Sequence, residues 1–215
     1  MFHLNADNWF NRFLGRLTDL FLLQMLFFLT SIPVVTIGAG ICALYSVCRK
    51  LRQDSISSVT AAYFQDFAAN WKQATVAWLL FLIAGFVVFA GLQYYADGSA
   101  LSLICRVLIF LVAAVVCLVT LYLFPMIAWL ENPLYLQMKN ALVLSLAHIP
   151  ATILELGTLV AAYFVAKFVY PLFLFAGISA TIYILSGFLL KTLSLYSPDL
   201  ILQEIPQEEI SDKEE

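Results

Sequence analysis

The sequence is poor in charged residues. Asp, Glu, Lys and Arg make up 12% of its 215 residues, whereas soluble domains carry about 25%. Hydrophobic residues make up 63%, against about 45–50% in soluble domains. A chain of this size cannot bury so much apolar surface in one core and still present a polar face to water. This composition excludes a soluble globular enzyme, a disordered chain, a coiled coil and a nucleic-acid-binding protein.

Residues that usually carry chemistry are also scarce. The chain has two histidines and four cysteines, and the cysteines lie in apolar stretches without a CxxC spacing. It contains no Walker A, GxSxG or HExxH motif and no glycine-rich nucleotide loop. We therefore expect no enzymatic activity, no cofactor and no metal site.

Long apolar runs are what the sequence has instead, and a transmembrane helix needs about 20 apolar residues. Four spans are predicted beyond the N-terminal region, and they run approximately from Ala74 to Tyr95, Leu101 to Leu130, Ala141 to Ala166 and Pro171 to Lys191. Pro125 is expected to interrupt the second of these, and Pro150 lies in the first half of the third. The predicted fold class is an all-α polytopic membrane bundle of five to six transmembrane helices, with short interfacial amphipathic helices.

The N-terminal apolar region is too long for one comfortable span, because 29 uncharged residues separate Asp19 from Arg49. Pro33 removes a backbone donor and disfavours helix at the residue before it. We therefore expect a helix, a break near residues 31–36, and a second helix. Six crossings with both termini inside require this region to cross twice, or to enter and come back. Five crossings with the N-terminus outside is the alternative.

Two amphipathic segments precede long spans. In residues 56–73, helical spacing places Val59, Tyr63, Phe64, Phe67 and Trp71 on one face, opposite Ser58, Gln65 and Lys72, with Asp66 and Gln73 towards the edge. Residues 131–140 repeat the pattern more briefly. Both segments are expected to lie in the interface on the same side of the membrane. The candidate partner-facing residues of the first segment are Phe64, Phe67, Asn70, Trp71 and Lys72.

Charge position predicts the orientation and the domain limits. Lys and Arg are concentrated at residues 49–72, which favours the cytoplasm for this segment, for residues 131–140 and for the C-terminus. Residues 1–196 form one predicted membrane-embedded helical domain. Residues 197–215 carry a net charge of −6 and are predicted to be an acidic, disordered cytoplasmic tail.

Glu155 is the strongest single candidate for a functional residue, because it falls near the middle of a predicted span. A charge at that depth is expensive, so the carboxyl should be protonated or should face a polar partner. It is either a site linked to protons or substrate, or a neutral carboxyl bonded to a hydroxyl such as Thr152, Ser179 or Tyr183. Arg106 can pair with it only if the two spans are offset in depth.

The broken helix is the second candidate, through Pro33, Thr36 and Gly38. Broken helices free backbone groups, which line binding sites in some transporters. Alternatively, the break is a kink at which Gly38, Ala39 and Gly40 pack closely against a neighbouring helix.

Three groups of residues resemble a known family. Residues 27–39 contain a Ser-x-Pro-x-x-Thr-x-Gly-Ala core, followed by Ala43-Leu44-Tyr45 and Arg49-Lys50-Leu51. Phe64-x-x-Phe67 with residues 70–75, and Lys139-Asn140-Ala141-Leu142, complete the pattern. Together they resemble the YesL family of bacterial membrane proteins, a family without an established biochemical activity.

The resemblance implies a role next to sugar import, since members of that family are often encoded beside carbohydrate ABC importers. The first hypothesis is therefore an accessory component in the bacterial cytoplasmic membrane that docks on importer permease subunits. The second is a small secondary transporter that uses Glu155 and the broken helix. A membrane-embedded enzyme ranks last, because no paired catalytic groups occur. Beyond these candidates, the bilayer is the expected partner, and the sequence does not indicate an oligomeric state.

Overall fold

A computed structural model describes residues 9–95, 99–168 and 170–196. Within these ranges the chain is helical and contains no strand. The helices are α1 (Trp9–Thr30), α2 (Ile37–Arg52), α3 (Val59–Tyr94), α4 (Ala100–Trp129), α5 (Leu134–Ala147), α6 (Ile149–Phe168) and α7 (Tyr170–Tyr196). The protein is an all-α polytopic membrane bundle, as its composition predicts. The predicted acidic tail, residues 197–215, lies outside the described residues.

Four stretches within the described residues are long and apolar enough to cross a membrane. They are Val34–Arg52, Val59–Tyr94, Leu101–Trp129 and Ile149–Phe168, and Ala176–Thr192 is a shorter apolar helix. The outer surfaces of these helices are rich in exposed apolar side chains, among them Phe86 at 71% and Leu111 at 64% exposure. Lipid is the environment that such surfaces require.

Helix α2 is the centre of the bundle. It packs against α1, α3, α4 and α7, and eleven of its sixteen residues are buried. Its small residues explain the close packing: a Cβ atom added to Gly38 would lie 2.6 Å from the Ala74 carbonyl oxygen and 2.6 Å from Trp78 Cβ. The α2 and α3 backbones therefore meet where only a glycine fits.

The predicted break between α1 and α2 is present. Ser31 and Ile32 lie between the helices, Pro33 is extended, and Val34–Thr36 forms one turn of 3-10 helix. The break packs beside Trp78 on α3, and α3 continues for about 24 Å beyond that residue at 1.5 Å per residue. Both arms of this hairpin are close to the length of a membrane crossing, at 22 residues for α1 and 19 for Val34–Arg52.

The structure corrects three of the predicted boundaries. Residues 59–73 are not a separate interfacial helix but the first part of α3, which runs on without interruption to Tyr94. Pro125 does not interrupt α4, because the residues around it are buried against α2 and tertiary packing holds the helix together.

The third correction concerns the span around Pro150. Residues 134–147 form α5, the helix is interrupted at His148, and the span starts at Ile149. It therefore begins eight residues later than predicted. Pro150 is the second residue of α6, where its missing N–H costs nothing.

Candidate functional site

Glu155 lies in the first half of α6 and is 2% exposed. Its Oε1 atom is buried without a hydrogen-bond partner. Tyr122 on α4 and Tyr45 on α2 lie near this carboxyl group. Three helices thus bring polar groups together inside an apolar bundle.

Thr152 completes this cluster. Its hydroxyl oxygen lies 2.9 Å from the Tyr122 hydroxyl oxygen, 3.0 Å from the Ser145 carbonyl oxygen and 3.1 Å from that of His148. The Thr152 hydroxyl has a single proton, which it donates to a carbonyl oxygen. The Tyr122 hydroxyl therefore donates its own proton to Thr152.

The partners suggested for Glu155 by the sequence are mostly engaged elsewhere. Ser179 donates to the Leu20 carbonyl oxygen at 2.7 Å, and the Tyr183 hydroxyl accepts from Arg16 at 2.7 Å. Arg106 precedes Tyr122 by sixteen residues on the same helix, which places it about 24 Å away along the axis. Tyr122 was missed because it lies in the apolar run Leu121–Phe124, and its proximity to α6 is a tertiary contact.

Three carbonyl groups at the broken helix accept hydrogen bonds from within the protein. The Thr36 hydroxyl is 2.5 Å from the Thr30 carbonyl oxygen and 2.7 Å from that of Pro33, and Trp78 donates to the Val34 carbonyl oxygen at 2.9 Å. Together with the close contact at Gly38, these bonds hold the turn of Pro33 and Thr36 against α3.

The first part of α3 presents a different face from the predicted one. Tyr63 and Phe67 point into the bundle, whereas Phe64 and Trp71 are 45% and 47% exposed. Asp66, expected near the water-facing edge, is buried and accepts two hydrogen bonds from Lys50 on α2, at 2.7 and 2.9 Å.

Polar contacts fix this part of α3 to its neighbours. The Tyr63 hydroxyl oxygen is 2.7 Å from that of Thr30. Gln73 donates to the Asn132 carbonyl oxygen at 2.9 Å and to Gln137 Oε1 at 3.0 Å, and Gln137 is fully buried. Of the remaining candidates, Asn70 is half-buried and donates to a carbonyl of its own helix, and Lys72 is exposed and lies over the Trp71 ring.

A cavity of about 650 Å³ lies next to α2, between α4 on one side and α6 and α7 on the other. Phe27, Ile41, Tyr45 and Trp78 line one part of it, and the walls are residues 117–124 of α4, 159–166 of α6 and 178–185 of α7. The lining is almost entirely apolar. Among the described residues, no group of three or more His, Cys, Asp or Glu side chains is placed to hold a metal ion.

The comparisons with known proteins concern the N-terminal third of the chain. Residues 20–92 match a family model described as "Protein of unknown function, DUF624". This match includes the second half of α1, the break, α2 and nearly all of α3. No curated protein and no solved structure matched the chain.

Proposed function

We propose that the protein is an accessory component of bacterial carbohydrate uptake that docks on the permease subunits of an ABC importer. The observation that carries the proposal is the outer face of α3 before its membrane-spanning part. There Phe64 and Trp71 are exposed beside Lys72, while the same segment is fixed to the bundle by Tyr63, Asp66 and Gln73. A rigid surface with exposed aromatic side chains is typical of a protein–protein contact.

The chemistry of the cavity favours an accessory role over direct sugar transport. Sugar hydroxyls need hydrogen-bond partners, and burying them without partners costs several kcal/mol. The two threonines among the lining residues, Thr120 and Thr181, already donate to carbonyl groups of their own helices. The cavity therefore offers a sugar very few of the contacts that it requires.

The resemblance to the YesL family supports the link to carbohydrate import, and its first two motifs lie within the region that matches the family model. The proposed location is the bacterial cytoplasmic membrane, with the C-terminus in the cytoplasm. A reporter fused after Glu215 should then read cytoplasmic, and one inserted at Gly98 should read external. A cytoplasmic signal from the Gly98 fusion would show that the orientation is reversed.

Affinity purification in mild detergent tests the docking proposal. The full chain, expressed in a host that carries the importer, should recover permease subunits in a fixed proportion. Changing Phe64 and Trp71 to Ser should reduce that recovery at constant abundance, because both side chains lie on the proposed contact. Phe86→Ser is the matched control, since Phe86 is exposed on the later, membrane-spanning part of the same helix. Equal recovery from all three proteins would refute the proposal.

A small secondary transporter is the second candidate, and the unpartnered Oε1 of Glu155 favours it. Buried polar atoms without partners are uncommon, and intramembrane carboxyls often serve ion or proton pathways. The purified protein in liposomes should then move sugar by itself. The accessory proposal expects no such flux, so the two functions give opposite results in this assay.

A further inference from the structure

The cavity lies where α4 and α6 make few direct contacts with each other. The two helices are joined near the N-terminal end of α6 by the contact between the hydroxyl groups of Tyr122 and Thr152. Helix α5 packs closely along α4 and ends before His148. Helix α6 then packs mainly on α7. The cavity occupies the resulting space beyond the polar cluster, at residues 159–166 of α6.

The cavity-lining segments of α4 and α6 belong to helices that are long and apolar enough to cross a membrane. On α4 the cavity-lining residues 117–124 lie between Arg106 and the helix end at Trp129, and on α6 the lining ends at Ala166, just before Lys167. The medium around these helices is therefore lipid tails. An apolar cavity does not hold water, because water needs polar partners.

The size and chemistry of the cavity narrow the choice of occupant. A helix with its side chains is about 10 Å across, so 650 Å³ would hold only about 8 Å of its length. The threonine hydroxyls in the lining point back to their own backbones. Apart from the hydroxyl groups of Tyr45 and Tyr163 and the Cys117 thiol, the rest of the lining is almost entirely apolar. A flexible hydrocarbon chain fits these walls, whereas a sugar or a helix of a second copy does not.

We propose that the cavity is a binding site for one acyl chain of a membrane phospholipid, held between α4, α6 and α7 above α2. The chain enters from the bilayer through the gap between α4 and α6, and its end stops at the floor formed by Phe27, Ile41 and Tyr45. This site is independent of the docking face on α3 and does not rest on the proposed function.

Native mass spectrometry of the full chain, released from mild detergent, tests the proposal. The wild-type protein should retain one phospholipid. Ala162→Phe and Ala166→Phe place a ring inside the cavity and should lower the retained fraction at least about tenfold, a change of 1.4 kcal/mol in binding. Val160→Phe is the control, because Val160 is 56% exposed and does not line the cavity. It should retain the lipid as the wild type does.

A second measurement keeps the test independent of folding defects. Lipids brominated on the acyl chain quench tryptophan fluorescence on contact, and Trp78 lines the cavity. In a protein with Phe at the other three tryptophan positions, quenching should fall with Ala166→Phe and stay unchanged with Val160→Phe. Equal lipid retention and equal quenching in all variants would overturn the proposal. The proposal would also be overturned if the wild-type protein were a dimer and Ala162→Phe converted it to monomers.

Discussion

Gly38→Ala is the sharpest test of how α2 is held in the bundle. The added Cβ would lie 2.6 Å from both the Ala74 carbonyl oxygen and Trp78 Cβ. Neither atom is the end of a flexible side chain, so α2 and α3 must move apart. Overpacking of this kind costs about 1–3 kcal/mol, and the higher helix propensity of Ala returns up to about 1 kcal/mol. We expect a net loss of roughly 1–2 kcal/mol in the free energy of unfolding.

Thermal unfolding in mild detergent, followed by loss of the monodisperse peak in size-exclusion chromatography, measures this loss. For a chain of this size it corresponds to a decrease of about 2–8 °C in Tm. Gly85→Ala and Gly157→Ala are matched controls, because nothing lies within 4 Å of a Cβ at either position, and they should leave Tm unchanged or raised. A Gly38→Ala protein as stable as these controls would refute the packing of α2 against α3 described above.

Two further substitutions test the polar interior. Lys50→Ala should lower the free energy of unfolding by about 1–3 kcal/mol, because it leaves the buried Asp66 carboxylate without its donor. Asp54→Asn is the control and should cost under about 1 kcal/mol, since the Asp54 side chain is 82% exposed. Equal losses of stability in chemical denaturation would contradict the burial of the Asp66 ion pair. Glu155→Gln should leave abundance, Tm and sugar-dependent growth at acidic and neutral pH unchanged if the protein is an accessory component. Loss of growth at normal abundance would instead favour the transporter.

Prolines show how far the sequence could predict the helices. Pro33 separates two helices as expected, since α1 ends at Thr30 and α2 begins at Ile37. Pro125 has the same local chemistry, yet α4 passes through it because its surroundings are buried. Pro150 marks a helix start one residue after the break at His148. Local rules give the preference of each proline, and tertiary packing decides the outcome.

The candidate site was predictable only in part for the same reason. The depth of Glu155 in an apolar run is a property of the sequence, and the structure buries it. Its neighbour Tyr122 belongs to another helix, and nothing in the local pattern links the two. Likewise, Asp66 and Gln137 are buried because partners on other helices satisfy them. A periodicity that assigns polar residues to a water-facing side cannot detect such partners.

Polar contacts between helices contribute to holding the bundle together. Lipid tails are as apolar as leucine side chains, so no hydrophobic effect drives helices together within the membrane. The ion pair of Lys50 with Asp66 and the bond between Gln73 and Gln137 join α2, α3 and α5, and Arg52 donates to Ser186 on α7 at 3.2 Å.

Helices α4 and α6 are linked by the cluster around Glu155. The cavity lies between them, next to this cluster. The separation persists at little cost only if hydrocarbon fills the space, because an empty cavity forfeits the dispersion contacts of its walls. The Glu155 cluster thus borders the lipid-filled cavity on one side. A substitution at this boundary, such as Thr152→Val, should widen the gap and alter lipid retention, whereas the same loss of a hydroxyl at the lipid-facing Thr158 should not.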